Sequence, residues 1–121
     1  MPLVIINGAI VSDCDELGSW GAPTALTIAS GVITVTGPGF YEIDTEGAAA
    51  SDALDTINGG SEGDVVILKS AADARNVVIT DGTAGADNID LIGASITLDT
   101  ANQRVKLQRG STNWVESSSR P

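Results

Sequence analysis

The chain has 121 residues and a mass of 12.2 kDa, with 42% hydrophobic residues but only four aromatic ones, Trp20, Phe40, Tyr41 and Trp114. That length supports one domain and one modest core, which must be built from Val, Ile, Leu and Ala. Sixteen acidic residues against six basic give a formal charge of −10, which argues against a nucleic-acid partner and an anionic membrane; without histidine and with a single cysteine, Cys14, the chain lacks the commonest general base, an internal disulfide and the ligands of a zinc cluster.

Leu3-Val4-Ile5-Ile6-Asn7-Gly8-Ala9-Ile10-Val11 reads as a hairpin, because Asn-Gly favours a two-residue turn with positive φ at both positions. Both of its faces are apolar, so it either enters the main core or lies against another chain. The start, Met1-Pro2-Leu3, has no basic segment ahead of an apolar one, so no secretion signal is read there and synthesis in a reducing cytoplasm is expected. Ser12 to Pro23 is a polar, acidic loop broken by Gly18, Gly21 and Pro23. Trp20 inside it is a lid on the core or an anchor in an interface.

Thr24 to Ile28 and Val32 to Thr36 read as strands turned by Ser30-Gly31, and Phe40 to Thr45 alternates again after Gly37-Pro38-Gly39. Ala50, Ala53, Leu54 and Ile57 then fall at i, i+3, i+4 and i+7, the stripe of a short helix near residues 51–58. Ser51 suits its N-cap, and Asn58-Gly59-Gly60 suits its stop. Val65 to Leu68 is the most continuous apolar run in the second half. Arg75 to Thr80, Ile89 to Ile92, Ile96 to Asp99, Arg104 to Gln108 and Asn113 to Glu116 are further strands, and Ser117 to Pro121 is a polar tail. Strand starts every 8–12 residues predict an all-β fold, a small antiparallel sandwich or barrel with that one helix. No repeat is regular enough to predict a solenoid. The division drawn is residues 1–29 as a hairpin-and-loop arm and residues 30–121 as the β domain.

The candidate chemistry is thin. Gly82-Thr83-Ala84-Gly85-Ala86-Asp87-Asn88-Ile89-Asp90 approaches a calcium-binding nonapeptide but lacks its second glycine and occurs once, so a plain turn is the reading. Asp13, Asp15 and Glu16 cluster on a loop, where acids are ordinarily solvated. Cys14 beside them is a poor thiolate. No cofactor, metal, small-molecule substrate or enzymatic activity is expected. Trp114 is a packing residue of the core or of a subunit contact, or else a glycan-stacking platform.

Several short motifs in fixed order carry a resemblance. They are Ile33-Thr34-Val35-Thr36, Tyr41-Glu42-Ile43-Asp44-Thr45-Glu46-Gly47, Asp52-Ala53-Leu54-Asp55-Thr56-Ile57-Asn58-Gly59-Gly60, Gly63-Asp64-Val65-Val66-Ile67-Leu68, Ala74-Arg75-Asn76-Val77-Val78-Ile79-Thr80-Asp81-Gly82, Ile96-Thr97-Leu98-Asp99 and Gly110-Ser111-Thr112-Asn113-Trp114-Val115-Glu116. Over roughly Ser30 to Ser117 the chain resembles a β-rich domain of virion proteins in tailed bacteriophages. The resemblance implies a non-enzymatic homotrimer. The chain's size points further, to a capsid decoration (cement) protein bound to the major capsid protein on the virion surface after synthesis in the host cytoplasm. The alternative is a receptor-binding or tail-fibre tip module that recognises a host surface glycan or protein. The expected interface residues, toward capsid or subunit, are Leu3, Val4, Ile5, Ile6, Ile10, Val11, Trp20 and Trp114.

Overall fold

Alternation of apolar and polar residues builds most of this molecule. The computed structural model describes residues 21–82 and 87–117. Along them run β1 (Thr24–Thr27), β2 (Val32–Val35), β3 (Gly39–Asp44), β4 (Ser51–Leu54), β5 (Thr56–Gly59), β6 (Val65–Ser70), β7 (Asn76–Ile79), β8 (Ile89–Asp90), β9 (Ile96–Leu98), β10 (Val105–Arg109) and β11 (Trp114–Glu116). A 3-10 turn, Glu46–Ala48, lies between β3 and β4. In β6, Val66, Leu68 and Ser70 are buried while Val65, Ile67 and Lys69 face the other way, the period of two that puts one side of a strand in the core.

The strands stack as successive coils of chain. β3 lies parallel to β1 and β6 lies parallel to β3; β5 lies parallel to β2, and β7 to β4. Each coil thus lays its strands on those of the coil before, a solenoid-like path in which the buried side chains of successive coils meet inside. The last coil is closed by reversal: β10 runs antiparallel to β6, β11 antiparallel to β10, and β9 antiparallel to β7. The resulting sheets have the orders β1-β3-β6-β10-β11-β8, β2-β5 and β4-β7-β9. The buried interior is almost wholly aliphatic, with Ile43, Leu54, Leu68, Ile79 and Leu107 fully enclosed around Trp114.

The all-β class holds, but the short helix near residues 51–58 does not. That stretch is β4 and β5 with a corner at Asp55. The corner explains the helical spacing. Leu54 ends one strand and Ile57 sits second in the next, so both point inward three residues apart, as they would on a helix. Stacked parallel coils replace the expected antiparallel layout, and unequal coil lengths hid them. Tyr41 follows its register partner Thr24 by 17 residues, whereas Ile67 follows Phe40 by 27 and Asn76 follows Ser51 by 25. β1, drawn with the arm in the division at residue 30, pairs along its length with β3. The hairpin read at Leu3–Val11 lies outside the described residues.

Candidate functional site: the outer face of the six-stranded sheet

Of the expected interface residues, Leu3, Val4, Ile5, Ile6, Ile10, Val11 and Trp20 lie outside the described residues, and Trp114 does not reach the surface. Its side chain has 0% exposure, its indole Nε1 donates to the Ile57 carbonyl at 3.1 Å, and its ring lies against Gly60. Of the two roles open to it from sequence, core packing is the one it fills within this single chain. The same Ile57 carbonyl accepts from Asn88 Nδ2 at 2.8 Å, while Asn88 Oδ1 accepts the Ile57 N–H at 3.0 Å. Asn88 therefore acts as a strand neighbour made of one side chain. Its place in the calcium-like stretch is explained by this bond pair. Among the described residues, no group of three or more His, Cys, Asp or Glu is placed to hold a metal ion.

Many acids serve the backbone. Glu46 Oε1 accepts the Ser30 N–H, Asp64 Oδ2 the Ser61 N–H, and Asp73 Oδ1 the Ala101 N–H, each within 2.9 Å. Asp90 is bonded to Asn113 Nδ2. Such bonds to turn and edge donors give the acidic composition a structural use beyond solubility.

The surface that sequence reasoning missed is the outer face of the six-stranded sheet. The strand alternation that buries Tyr41, Val66, Leu68 and Leu107 turns Phe40, Val65, Ile67 and Val115 outward. Register aligns them. Phe40 sits beside Ile67, which sits beside Lys106; Val65 sits beside Gln108, which sits beside Val115. Val115 is 45% exposed, and the other three are half-buried. The signal was present in the continuous apolar run Val65–Leu68. A strand apolar on both sides needs cover on both.

Basic side chains gather on this same face of an acidic chain. Lys69 Nζ meets Glu42 Oε2 at 3.1 Å, Arg75 Nη1 meets Asp44 Oδ2 at 2.7 Å, and the Arg104 guanidinium lies 5.3 Å from the centre of the Phe40 ring. With Lys106, four of the chain's six basic residues reach it. Phe40, Ile67 and Val65 form an apolar patch edged by Arg, Lys and paired carboxylates, with Val115 beyond Gln108, and a patch of this kind has the make-up of a protein contact surface. Comparison with protein-family models, with curated proteins and with solved structures finds no match to the chain.

Proposed function

We propose that this chain is a non-enzymatic structural virion protein of a tailed bacteriophage, a capsid decoration (cement) protein that binds the major capsid protein at the head surface as a homotrimer and stabilises the shell. The observation that carries the reading is the outward-facing set of Phe40, Ile67, Val65 and Val115 on one side of the six-stranded sheet. It gives a 12.2 kDa chain an apolar, register-aligned contact face that symmetric association would cover. The resemblance of the motifs between Ser30 and Ser117 supports the viral setting. The apolar residues of Leu3–Val11 supply the shell contact. The fibre-tip alternative is weakened at Trp114, its candidate glycan-stacking platform, because that ring is enclosed.

The test is a pair of measurements on one variant. Removing Met1–Val11 leaves a species of three chains in sedimentation equilibrium and abolishes binding to undecorated heads. A full-length chain that sediments as a monodisperse monomer overturns the trimer. A truncated chain that still saturates heads overturns the role given to Leu3–Val11, and a full-length chain that co-purifies with tails overturns the decoration role.

A further inference from the structure

The cations on the outer face of the six-stranded sheet fall into two groups. Lys69 and Arg75 are satisfied within the chain, by Glu42 and Asp44. Arg104 and Lys106 meet no carboxylate among the described residues. Arg104 Nη1 donates only to backbone, to Ala101 O at 3.0 Å and Gln103 O at 3.4 Å, while its guanidinium lies over the Phe40 ring. Both residues belong to one column. Arg104 is the residue before β10, Lys106 stands outward beside Ile67, and Gln108 continues the column between Val65 and Val115. Two cations without a counter-charge, set among apolar side chains in a chain of net charge −10, call for a carboxylate from a partner surface.

That column restricts how a second copy can cover the face. A two-fold contact centred on it would set Arg104 and Lys106 against their own copies, like charge on like charge. Around a three-fold axis, each copy instead meets its two neighbours through two different patches, and both patches lie on the side where both neighbours are. The second patch therefore borders the sheet. At one border the chain enters through residues 60–64, the turn from β5 into β6. This turn is fastened to the end of β10, since the Gly63 N–H donates to Arg109 O and the Arg109 N–H to Asp64 O, both at 2.8 Å. Asp64 Oδ2 holds the Ser61 N–H, which leaves Glu62 exposed and without a bond among the described residues. At the other border the acids are engaged. Asp44 meets Arg75, Glu46 accepts the Ser30 N–H, Asp73 accepts the Ala101 N–H, and Asp99 lies in the same β9–β10 loop as Arg104 itself.

We propose that a second copy of this chain covers the face in a heterologous, charged contact: the 60–64 turn of each copy abuts the β10 column of the next, and Glu62 faces Lys106 and Arg104 there. Phe40, Ile67 and Val65 are covered beside the charged pair, as apolar neighbours that keep water from it. Resting on the homotrimer reading, this pairing names the surface of the neighbour that does the covering. It also gives the free cations of the face a use that the pairs within the chain do not.

Sedimentation equilibrium of the full-length chain tests it. The parent sediments as three chains, Lys106→Glu and Glu62→Lys each weaken that assembly about tenfold or more, and both changes in one chain restore it. A second measurement needs no substitution. Raising salt from about 0.05 M to about 0.5 M screens the pair and loosens the parent trimer. Single variants that assemble as the parent does, a double variant that is not restored, or a trimer unmoved by salt each overturn the pairing and leave the trimer standing. A parent chain that sediments as one chain, or as two, overturns the trimer and the pairing with it.

Discussion

Among the described glycines, Gly59 carries the tightest constraint. Its φ is +89°, and a Cβ placed there would stand 2.1 Å from the Val35 carbonyl oxygen on the neighbouring parallel strand. Gly60 follows at φ +78°, where a Cβ would meet the Trp114 ring at 2.8 Å. Gly63 has φ +96° but open space around it, which separates the two costs. Gly63→Ala carries only the left-handed backbone penalty, about 1–2 kcal/mol. Gly59→Ala adds a collision with main chain that cannot rotate away, and the strand pair must open to accept it. We expect a loss of about 4 kcal/mol or more for Gly59→Ala, in the range of single changes that disrupt a core. Urea unfolding of both variants, followed by tryptophan emission, measures the difference. Equal midpoints would refute the steric argument.

Elements in this fold meet at corners, and the corners decide what sequence reasoning could and could not see. β3, β6 and β10 were legible because their alternation runs undisturbed through four or more residues. β4 and β5 were not, because the single corner residue Asp55 converts a spacing of two into one of three and imitates a helical stripe. Asn58-Gly59-Gly60 was rightly read as a stretch tolerant of positive φ, yet it ends a strand. Parallel pairing was invisible, since nothing in Thr24 announces Tyr41 as its neighbour and coil lengths differ. The outward apolar face was half visible, in the two-sided apolar run Val65–Leu68, whereas the burial of Trp114 depends on Ile57 and Gly60, far away in the chain. Asp52, inside the stretch read as a short helix, has an element-level role instead. Its carboxylate covers the free edge of β4, so Asp52→Ala exposes two backbone donors. That change costs about 1 kcal/mol, and it leaves an edge open to other chains. Light scattering during prolonged incubation is expected to rise for Asp52→Ala and to stay low for Asp52→Asn, which keeps one acceptor oxygen. Equal scattering from both variants would assign the effect to lost charge.

At the scale of the whole molecule, the sheet that packs the core on one side presents Phe40, Ile67, Val65 and Val115 on the other. The two functions can be separated by substitution. Ile67 is half-buried on the outward side, between Phe40 and Lys106, and contributes nothing to the enclosed interior. Ile67→Glu is therefore expected to change the unfolding free energy of the single chain, measured in urea, by about 0.5–1 kcal/mol, the scale of a strand-surface preference, while dispersing the proposed trimer. Sedimentation velocity at several concentrations reads the assembly directly. A variant that associates as the parent does would move the contact surface away from this sheet. Leu68→Glu is the opposite control, since Leu68 is fully enclosed and its replacement buries a charge and unfolds the chain.

The Ile57 carbonyl, which receives both Asn88 and Trp114, also sets an order in time. Trp114 bonds to it from 57 residues further along the chain, and Asn88 from 31. Contacts of such separation close late and slowly, because the loop between them must be ordered before the bond forms. During synthesis, the first coils can stack as they emerge, but the interior stays open to solvent until residue 114 has cleared the ribosome. Chains truncated between residues 88 and 114 would then carry an uncovered aliphatic core, and such fragments are the ones expected to be found bound to a chaperone.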